Sequence, residues 1–272
     1  MGKRIMGRVL ITILAAASAS VAVFAAQQQA ERSAASARSM PPGYLAREAM
    51  PDSLLLDPPP PAAGSAAQAR DDEGARAAVA LRGTPRWDQA RIDADLFTPT
   101  STSTFSCAAG VPIGKDTTPK LDALMRKVGP DLAMSVYPTK RHYSRPRPFM
   151  VNNQPTCTPE MEDVLRKDGS YPSGHSAIGY GWGLVLAEVV PERAAQLVAR
   201  GRAFGDSRRV CNVHWLSDVE EGRVVASAVV ARLHAEAAFR ADVEAARAEV
   251  AALRAKSPSV DCAKETAAFA GS

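Results

Sequence analysis

Apolar positions along this chain recur at helical spacing, and no segment shows a convincing strand pattern. The segment "TTPKLDALMRKVGPDLAMSVY" shows the pattern most clearly, with Thr118 as a candidate N-cap and Pro119 in the first turn. Its apolar stripe consists of Leu121, Leu124, Met125 and Val128. The Gly129-Pro130 pair is expected to interrupt this helix, because proline lacks an amide hydrogen and clashes with the preceding turn.

The rest of the chain also predicts helices. Residues 65–96 indicate two helices with a break near "RGTP", whereas 97–110 indicate a loop. Further helices are expected over 176–190, from 192 to about 205, and from about 215 to beyond 240. The apolar face of the last helix consists of Val219, Ala226, Val230 and Leu233. The predicted fold is therefore all-α, a helical bundle of one domain.

The N-terminus is typical of a secretory signal peptide over residues 1–26. A basic start precedes the apolar run 9–26, which is only marginally long enough for a membrane anchor and ends in small residues that suit cleavage near Ala25 or Ala26. No other stretch is long and apolar enough to span a bilayer, so the mature protein is expected to be soluble and periplasmic or secreted.

After the signal, composition divides the chain into three parts. Residues 27–63 form an extended Pro/Ala-rich segment that includes "DPPPPAAG", residues 64–256 form the folded domain, and residues 257–272 form a C-terminal tail.

Charge and cysteine content narrow the functional classes. The formal net charge of +4 falls to +1 when Lys3, Arg4 and Arg8 leave with the signal, which argues against a general nucleic-acid binder. Four cysteines in an oxidising compartment favour two disulfides, and none has the spacing of a zinc site. They are Cys107, Cys157, Cys211 and Cys262, and three pairings are open at this point.

A local cluster of cations stands out in this otherwise balanced chain. Five of the ten residues in "KRHYSRPRPF", from Lys140 to Phe149, are Lys, Arg or His, and two prolines stiffen the backbone between them. Fixed cations in such a cluster favour an oxyanion ligand, and Arg suits bidentate contact with phosphate. Taken alone, the run has the ordinary interpretation of a solvated surface.

Two further segments carry candidate chemistry. His214 and Asp218 are four residues apart, so on a helix the carboxylate can bind one ring nitrogen and leave the other as a nucleophile or base. In "GSYPSGHS", the amides of Ser173, Gly174 and His175 precede a helix and are expected to point at an anion. Each has an ordinary alternative, a structural ion pair in the first segment and a helix-capping serine in the second.

Together the three segments suit phosphoryl transfer by double displacement. His214 would attack phosphorus, His175 would protonate the leaving oxygen, and cations including Lys140, Arg147 and Arg208 would neutralise the phosphoryl oxygens. The sequence shows no cluster at metal spacing, so no metal or other cofactor is expected. His142 is expected to be a structural neighbour of the pocket, and His234 to lie on the last helix.

The order and spacing of these residues resemble the three-part signature of the type 2 phosphatidic acid phosphatase and vanadium haloperoxidase superfamily. The pattern is Lys140, six residues, Arg147-Pro148; then Pro172-Ser173-Gly174-His175; then Ser207-Arg208, five residues, His214, three residues, Asp218. Within that superfamily, "GSYPSGHS" and "HWLSDVEEGR" are similar to the secreted class A bacterial non-specific acid phosphatases. The likeness extends from about residue 54 to about residue 240.

The resemblance implies an all-helical acid phosphatase that hydrolyses small phosphate monoesters of broad range through a phosphohistidine intermediate. In it His214 is the nucleophile, Asp218 its orienting partner and His175 the acid. The phosphate-binding residues that it implies are Lys140, Arg147, Ser173, Gly174 and Arg208. It also implies a disulfide between Cys157 and Cys211, while Cys107 and Cys262 depart from the usual family pattern and are assigned to each other.

Two other functions remain open on the sequence. A vanadate-dependent haloperoxidase would use the same oxyanion pocket, and a non-catalytic phosphate-binding protein would use the cations without turnover. A lipid phosphatase of the superfamily is disfavoured, because the expected bundle of membrane spans is missing. The physiological substrate is not predicted, and a homo-oligomer is left open.

Overall fold

The computed structural model describes residues 42–270, which belong to one compact unit beginning at Pro42. The predicted signal peptide and residues 27–41 of the predicted 27–63 segment lie outside the described residues. The compact unit takes in residues 42–63 and 257–270 together with residues 64–256, the range predicted for the folded domain. Residue Tyr44 is anchored through a hydrogen bond from its hydroxyl to Asp242, and Cys262 is anchored through a disulfide to Cys107.

The described residues contain helices and no strand, which confirms the all-α prediction. The α-helices in the first half are α1 (Ser53–Leu56), α2 (Ala66–Val79), α3 (Pro85–Asp93), α4 (Ser106–Ala109), α5 (Pro119–Ser135), α6 (Tyr137–Tyr143) and α7 (Pro148–Asn152). Those in the second half are α8 (Glu162–Leu165), α9 (Gly174–Val189), α10 (Ala194–Val210), α11 (Leu216–Leu233), α12 (Ala237–Arg254) and α13 (Ala263–Phe269). Short 3-10 turns cover Arg47–Ala49, Ser101–Phe105, Pro159–Met161 and Pro191–Arg193. No helix in the described part of the chain is long and apolar enough to cross a membrane.

Helix α9 is the centre of the bundle, packed against α5, α10, α11 and α12. It is apolar on nearly all sides, as expected of a helix that is buried all round. Glycines allow its neighbours to approach closely: a Cβ on Gly201 of α10 would lie 2.8 Å from the carbonyl oxygen of Gly179. A Cβ on Gly222 of α11 would lie 2.5 Å from the carbonyl oxygen of Ser173, so α11 packs directly on the start of α9.

Three expectations about helix boundaries were wrong. Helix α5 continues through Gly129-Pro130, because apolar side chains on both sides of the proline, at Val128 and Leu132, are fully buried and their packing outweighs one missing hydrogen bond. The 97–110 segment is not a plain loop, since it contains the turn Ser101–Phe105 and helix α4. The two predicted apolar stripes, over 121–128 and 219–233, are by contrast both buried, as expected.

The third wrong expectation concerns the final helix. It does not run past Arg240 but ends at Leu233, and α12 starts at Ala237 after a short turn. The turn brings α12 back over α5 and α9, where it buries Phe239, Val243 and two further apolar residues. A continuous helix would have left that apolar face in solvent.

Candidate active site

His214 lies in the turn just before α11, not on the helix itself as its spacing to Asp218 had indicated. Helix α11 begins at Leu216, and the Asp218 side chain in its first turn accepts a hydrogen bond from the Trp215 amide at 2.8 Å. The same carboxylate oxygen lies 3.2 Å from Nδ1 of His214. A carboxylate that caps the helix start therefore also orients the imidazole.

Asp218 is fully buried and is neutralised by Arg145, whose Nη1 donates to it at 2.8 Å. The other terminal nitrogen of Arg145 donates to Asp71 of α2 at 2.8 Å. Burial raises the pKa of the Asp218 carboxyl, while Arg145 and the Trp215 amide oppose that rise. The basic run from Lys140 to Phe149 gives no indication of this contact, because Asp71 and Asp218 lie on distant segments of the chain.

The hydrogen bonds fix one tautomer of His214. Nδ1 carries the hydrogen, because it faces a carboxylate, and Nε2 accepts a hydrogen bond from Arg147 Nη1 at 3.0 Å. Burial lowers the pKa of His214 well below its usual value, and the charges of Arg147 and Lys140 lower it further. The ring is therefore neutral, with its lone pair on Nε2.

The carbonyl oxygens of the 165–169 turn hold two of the predicted phosphate-binding cations. Lys140 Nζ donates to the Gly169 carbonyl at 2.6 Å and lies 3.6 Å from an oxygen of Asp168. Arg147 Nε donates to the carbonyls of Leu165 and Asp168 at 2.9 and 3.0 Å. Burial, with the neighbouring charge of Arg147, lowers the pKa of Lys140 to about 8.

Arg208 differs from these cations because two nitrogens of its buried guanidinium have no hydrogen-bond partner among the described residues. It is 2 % exposed, and within residues 42–270 its Nε and Nη1 atoms have no hydrogen-bond acceptor. Burial, followed by the charge of Arg147, lowers the pKa of Arg208 to about 9. A buried guanidinium left unpaired is costly, so these donors point to an anionic ligand that the fold is built to receive.

The start of α9 supplies a smaller cradle than the sequence predicted. Ser173 is the N-cap, with its Oγ accepting from the Ser176 amide at 3.2 Å, and its own amide donates to the Asp218 carbonyl at 2.9 Å. The expectation that the Ser173 amide faces an anion was therefore wrong. The amides of Gly174 and His175 follow in the first helical turn and have no acceptor within the described part of the chain.

The imidazole of His175 is held by a backbone carbonyl group. Its Nε2 lies 2.9 Å from the carbonyl oxygen of Ala94, and because a carbonyl only accepts, Nε2 carries a hydrogen. Nδ1 is therefore the nitrogen that gains or loses the second proton. Burial and the charge of Arg208 lower the pKa of His175 well below its usual value.

The remaining histidines lie outside this constellation. His142 is exposed on α6 with its ring edge-on to Tyr143, and His234 follows the end of α11 with Nε2 at 3.0 Å from Glu188. No group of three or more metal-ligating side chains is found among the described residues.

Both cysteine pairings are present as disulfides, Cys157 with Cys211 and Cys107 with Cys262. The first joins the segment before α8 to the end of α10, close in sequence to Arg208 and His214. The second ties the start of α13 to α4.

Comparison with known proteins matches residues 131–240 to the PAP2 superfamily. An acid phosphatase of Zymomonas mobilis is 40% identical over 194 residues, which cover 71% of this chain and 74% of the relative. A non-specific acid phosphatase of Salmonella typhimurium is 41% identical over 184 residues, covering 66% and 72%. One of Providencia stuartii is 40% identical over 175 residues, covering 64% and 71%. With its three signature segments gathered at one site, this chain belongs to the PAP2 superfamily and, within it, to the bacterial non-specific acid phosphatases.

Proposed function

We propose that this acid phosphatase hydrolyses small phosphate monoesters of broad range through a covalent phosphohistidine at His214. The observation that carries the proposal is the buried guanidinium of Arg208, whose Nε and Nη1 have no acceptor among the described residues. It belongs to a site where Lys140 and Arg147 are also buried cations and where the imidazole of His214 is kept neutral. Such a set of donors and one nucleophile matches a phosphoryl group.

In the first step, Nε2 of His214 attacks phosphorus, a P–N bond forms and the P–O bond to the leaving group breaks. His175 donates the proton on Nδ1 to the departing oxygen, so that an alcohol leaves. Because the Asp218 carboxylate contacts Nδ1 of His214, it stabilises the positive charge that develops on the ring.

In the second step, water attacks the phosphohistidine and restores the enzyme. His175, now neutral, takes a proton from that water, a P–O bond forms, and the P–N bond breaks to release inorganic phosphate. Arg208, Lys140 and Arg147, with the amides of Gly174 and His175, bind the phosphoryl oxygens in both steps. Ser173 contributes by capping α9, which places those two amides.

The proposal also accounts for an acidic preference. His175 must be protonated to donate, yet burial and neighbouring cations lower its pKa well below the usual value. A bound phosphate dianion neutralises those cations and raises the pKa of the ring, so substrate binding itself promotes protonation. The proton is then supplied most readily at acidic pH.

We also propose that the protein acts in the periplasm or outside the cell after removal of its signal peptide. Two disulfides support an oxidising compartment. Cell fractionation with N-terminal sequencing tests this: the expected mature chain starts after Ala25 or Ala26, and an intact N-terminus in the cytoplasm would contradict it.

A substrate panel on the purified mature protein tests the activity itself. We expect hydrolysis of 4-nitrophenyl phosphate and of alkyl and nucleoside monophosphates, with loss of turnover in Arg208→Met. Vanadate-supported halide oxidation without ester hydrolysis would favour a haloperoxidase instead. Phosphate binding without any turnover would favour a non-catalytic phosphate-binding protein.

A further inference from the structure

Asp93, at the end of α3, belongs to no predicted motif. Its carboxylate nevertheless accepts more hydrogen bonds than any other described carboxylate near the site. Asp93 is 0 % exposed and accepts from Arg200 Nη2 at 2.5 Å and Nη1 at 3.2 Å. It also accepts from Ser207 Oγ at 2.6 Å and from Gln89 Nε2 at 2.9 Å. Arg200 is itself 3 % exposed in its side chain, so this is a buried ion pair satisfied on both sides.

The residue after Asp93 makes the only hydrogen bond that the described residues offer to the His175 ring. The carbonyl of Ala94 accepts from His175 Nε2 at 2.9 Å. Ala94 is the C-cap of α3, and its position depends on how that helix terminus is held. Because Asp93 is fixed by three side chains, the adjoining carbonyl is fixed as well, and with it the nitrogen of His175 that carries a permanent hydrogen.

The same carboxylate reaches a second part of the site. Its partner Ser207 directly precedes Arg208, whose buried guanidinium has donors without an acceptor within residues 42–270. Asp93 therefore connects the proton donor on α9 with the principal phosphate cation on α10.

We propose that Asp93 is a positioning residue for the protonation of the leaving group. It holds the Ala94 carbonyl against His175 so that the transferable proton is confined to Nδ1. The inference rests on the proposed function of His175 as the acid. If the hydrogen bonds of Asp93 are weakened, the His175 imidazole can rotate or change tautomer. The rate then falls for the step in which the leaving group takes the proton.

Leaving-group dependence separates this role from a merely structural one. A 4-nitrophenolate departs with little help from an acid, whereas an alkyl oxide needs a proton, so kcat/KM is compared for 4-nitrophenyl phosphate and glycerol 2-phosphate. In Asp93→Asn we expect kcat/KM to fall at least tenfold more for the alkyl ester than for the aryl ester. Equal losses on both substrates, or no loss, would overturn the proposal.

Two further variants are compared with Asp93→Asn. Arg200→Lys retains a charge near Asp93 but not the paired contact, so we expect the same bias toward loss on the alkyl ester, at a smaller size. If Asp93→Asn does not fold, Arg200→Lys replaces it, and equal losses on both substrates in Arg200→Lys would also overturn the proposal. Asp206 lies on α10, as Arg200 does, and forms a partly exposed ion pair with Arg223 of α11. Asp206→Asn should leave the ratio of the two substrates unchanged.

A variant of His175 distinguishes a failure of the acid assignment from a failure of the role proposed for Asp93. His175→Asn should give the full leaving-group bias, and adding Asp93→Asn to it should add no further bias. If His175→Asn shows no bias, the acid assignment fails and this inference with it. If His175→Asn shows the bias and Asp93→Asn does not, only the role of Asp93 is refuted.

Discussion

Arg147 donates a hydrogen bond from Nη1 to Nε2 of His214 across 3.0 Å, so a cation contacts the lone pair that attacks phosphorus in the proposed mechanism. The same Nη1 also donates to the Val213 carbonyl at 3.0 Å, which holds the guanidinium beside the ring. Arriving phosphoryl oxygens would compete for these donors and free the lone pair. Arg147 thereby keeps the imidazole of His214 neutral and holds its orientation before substrate binds.

The first prediction concerns the acid limb of the pH profile, which is the fall of kcat/KM at low pH. Since Arg147 lowers the pKa of His214, Arg147→Met should raise that pKa and move the acid limb of kcat/KM to higher pH. The maximal kcat/KM should also fall by about 10²–10³, the usual cost of losing one transition-state donor. The pH profile with 4-nitrophenyl phosphate measures both effects.

Arg141→Met is the matched control, because Arg141 is an exposed cation on α6 stacked near Tyr137. It should leave the acid limb in place. An unchanged acid limb in Arg147→Met would contradict the electrostatic link between Arg147 and His214.

The second prediction concerns Lys140, whose pKa is lowered to about 8. Its charge is present below that pH and is lost above it, so the inhibition constant of inorganic phosphate should rise as pH passes from 7.5 to 9. Lys140→Arg retains its charge throughout this range. The variant should bind phosphate with no such step, and an identical step in both proteins would exclude Lys140 as its source.

The third prediction concerns stability rather than catalysis. Asp57 is 6 % exposed, neither carboxylate oxygen has a partner within residues 42–270, and burial raises its pKa from 3.8 to about 7. A pKa that is higher in the folded state gives stability that is complete below the unfolded value and is lost as pH rises through 7. Asp57→Asn should therefore melt close to the wild type at pH 4 and several degrees higher at pH 8, since about 1 kcal/mol shifts Tm by roughly 2–4 °C.

The groups around Asp57 are Thr139 on α6, Glu221 on α11 and Tyr171, and none of them supplies a positive charge. Asp116→Asn, at an exposed position, is the control and should leave the pH dependence of Tm unchanged. If Asp57→Asn gives no advantage at pH 8, the carboxylate is not ionised at a cost in the folded protein.

The candidate reacting groups could be named from the sequence because their types and spacing are local. Lys140, Arg147, Arg208 and His214 occur in short segments, and the structure brings those segments together. The supporting groups are different. Arg145 joins Asp71 to Asp218 across distant parts of the chain, and the partner of His175 is a backbone carbonyl at Ala94, which no residue type can reveal.

Helix boundaries failed for a similar reason. The turn between α11 and α12 contains neither glycine nor proline, so nothing local ends the helix at Leu233. Pro130, by contrast, is a local signal that burial of its neighbours overrides. Both outcomes depend on tertiary packing, which periodicity does not contain.

The most direct measurement is to trap the phosphoenzyme. Acid conditions hydrolyse a P–N bond and alkali preserves it, so the protein is mixed with labelled 4-nitrophenyl phosphate, quenched in alkali and digested for mass spectrometry. The account predicts one phosphorylated residue, His214, and no adduct in His214→Ala under the same quench. An adduct on Ser173, or turnover by His214→Ala at the wild-type rate, would contradict it.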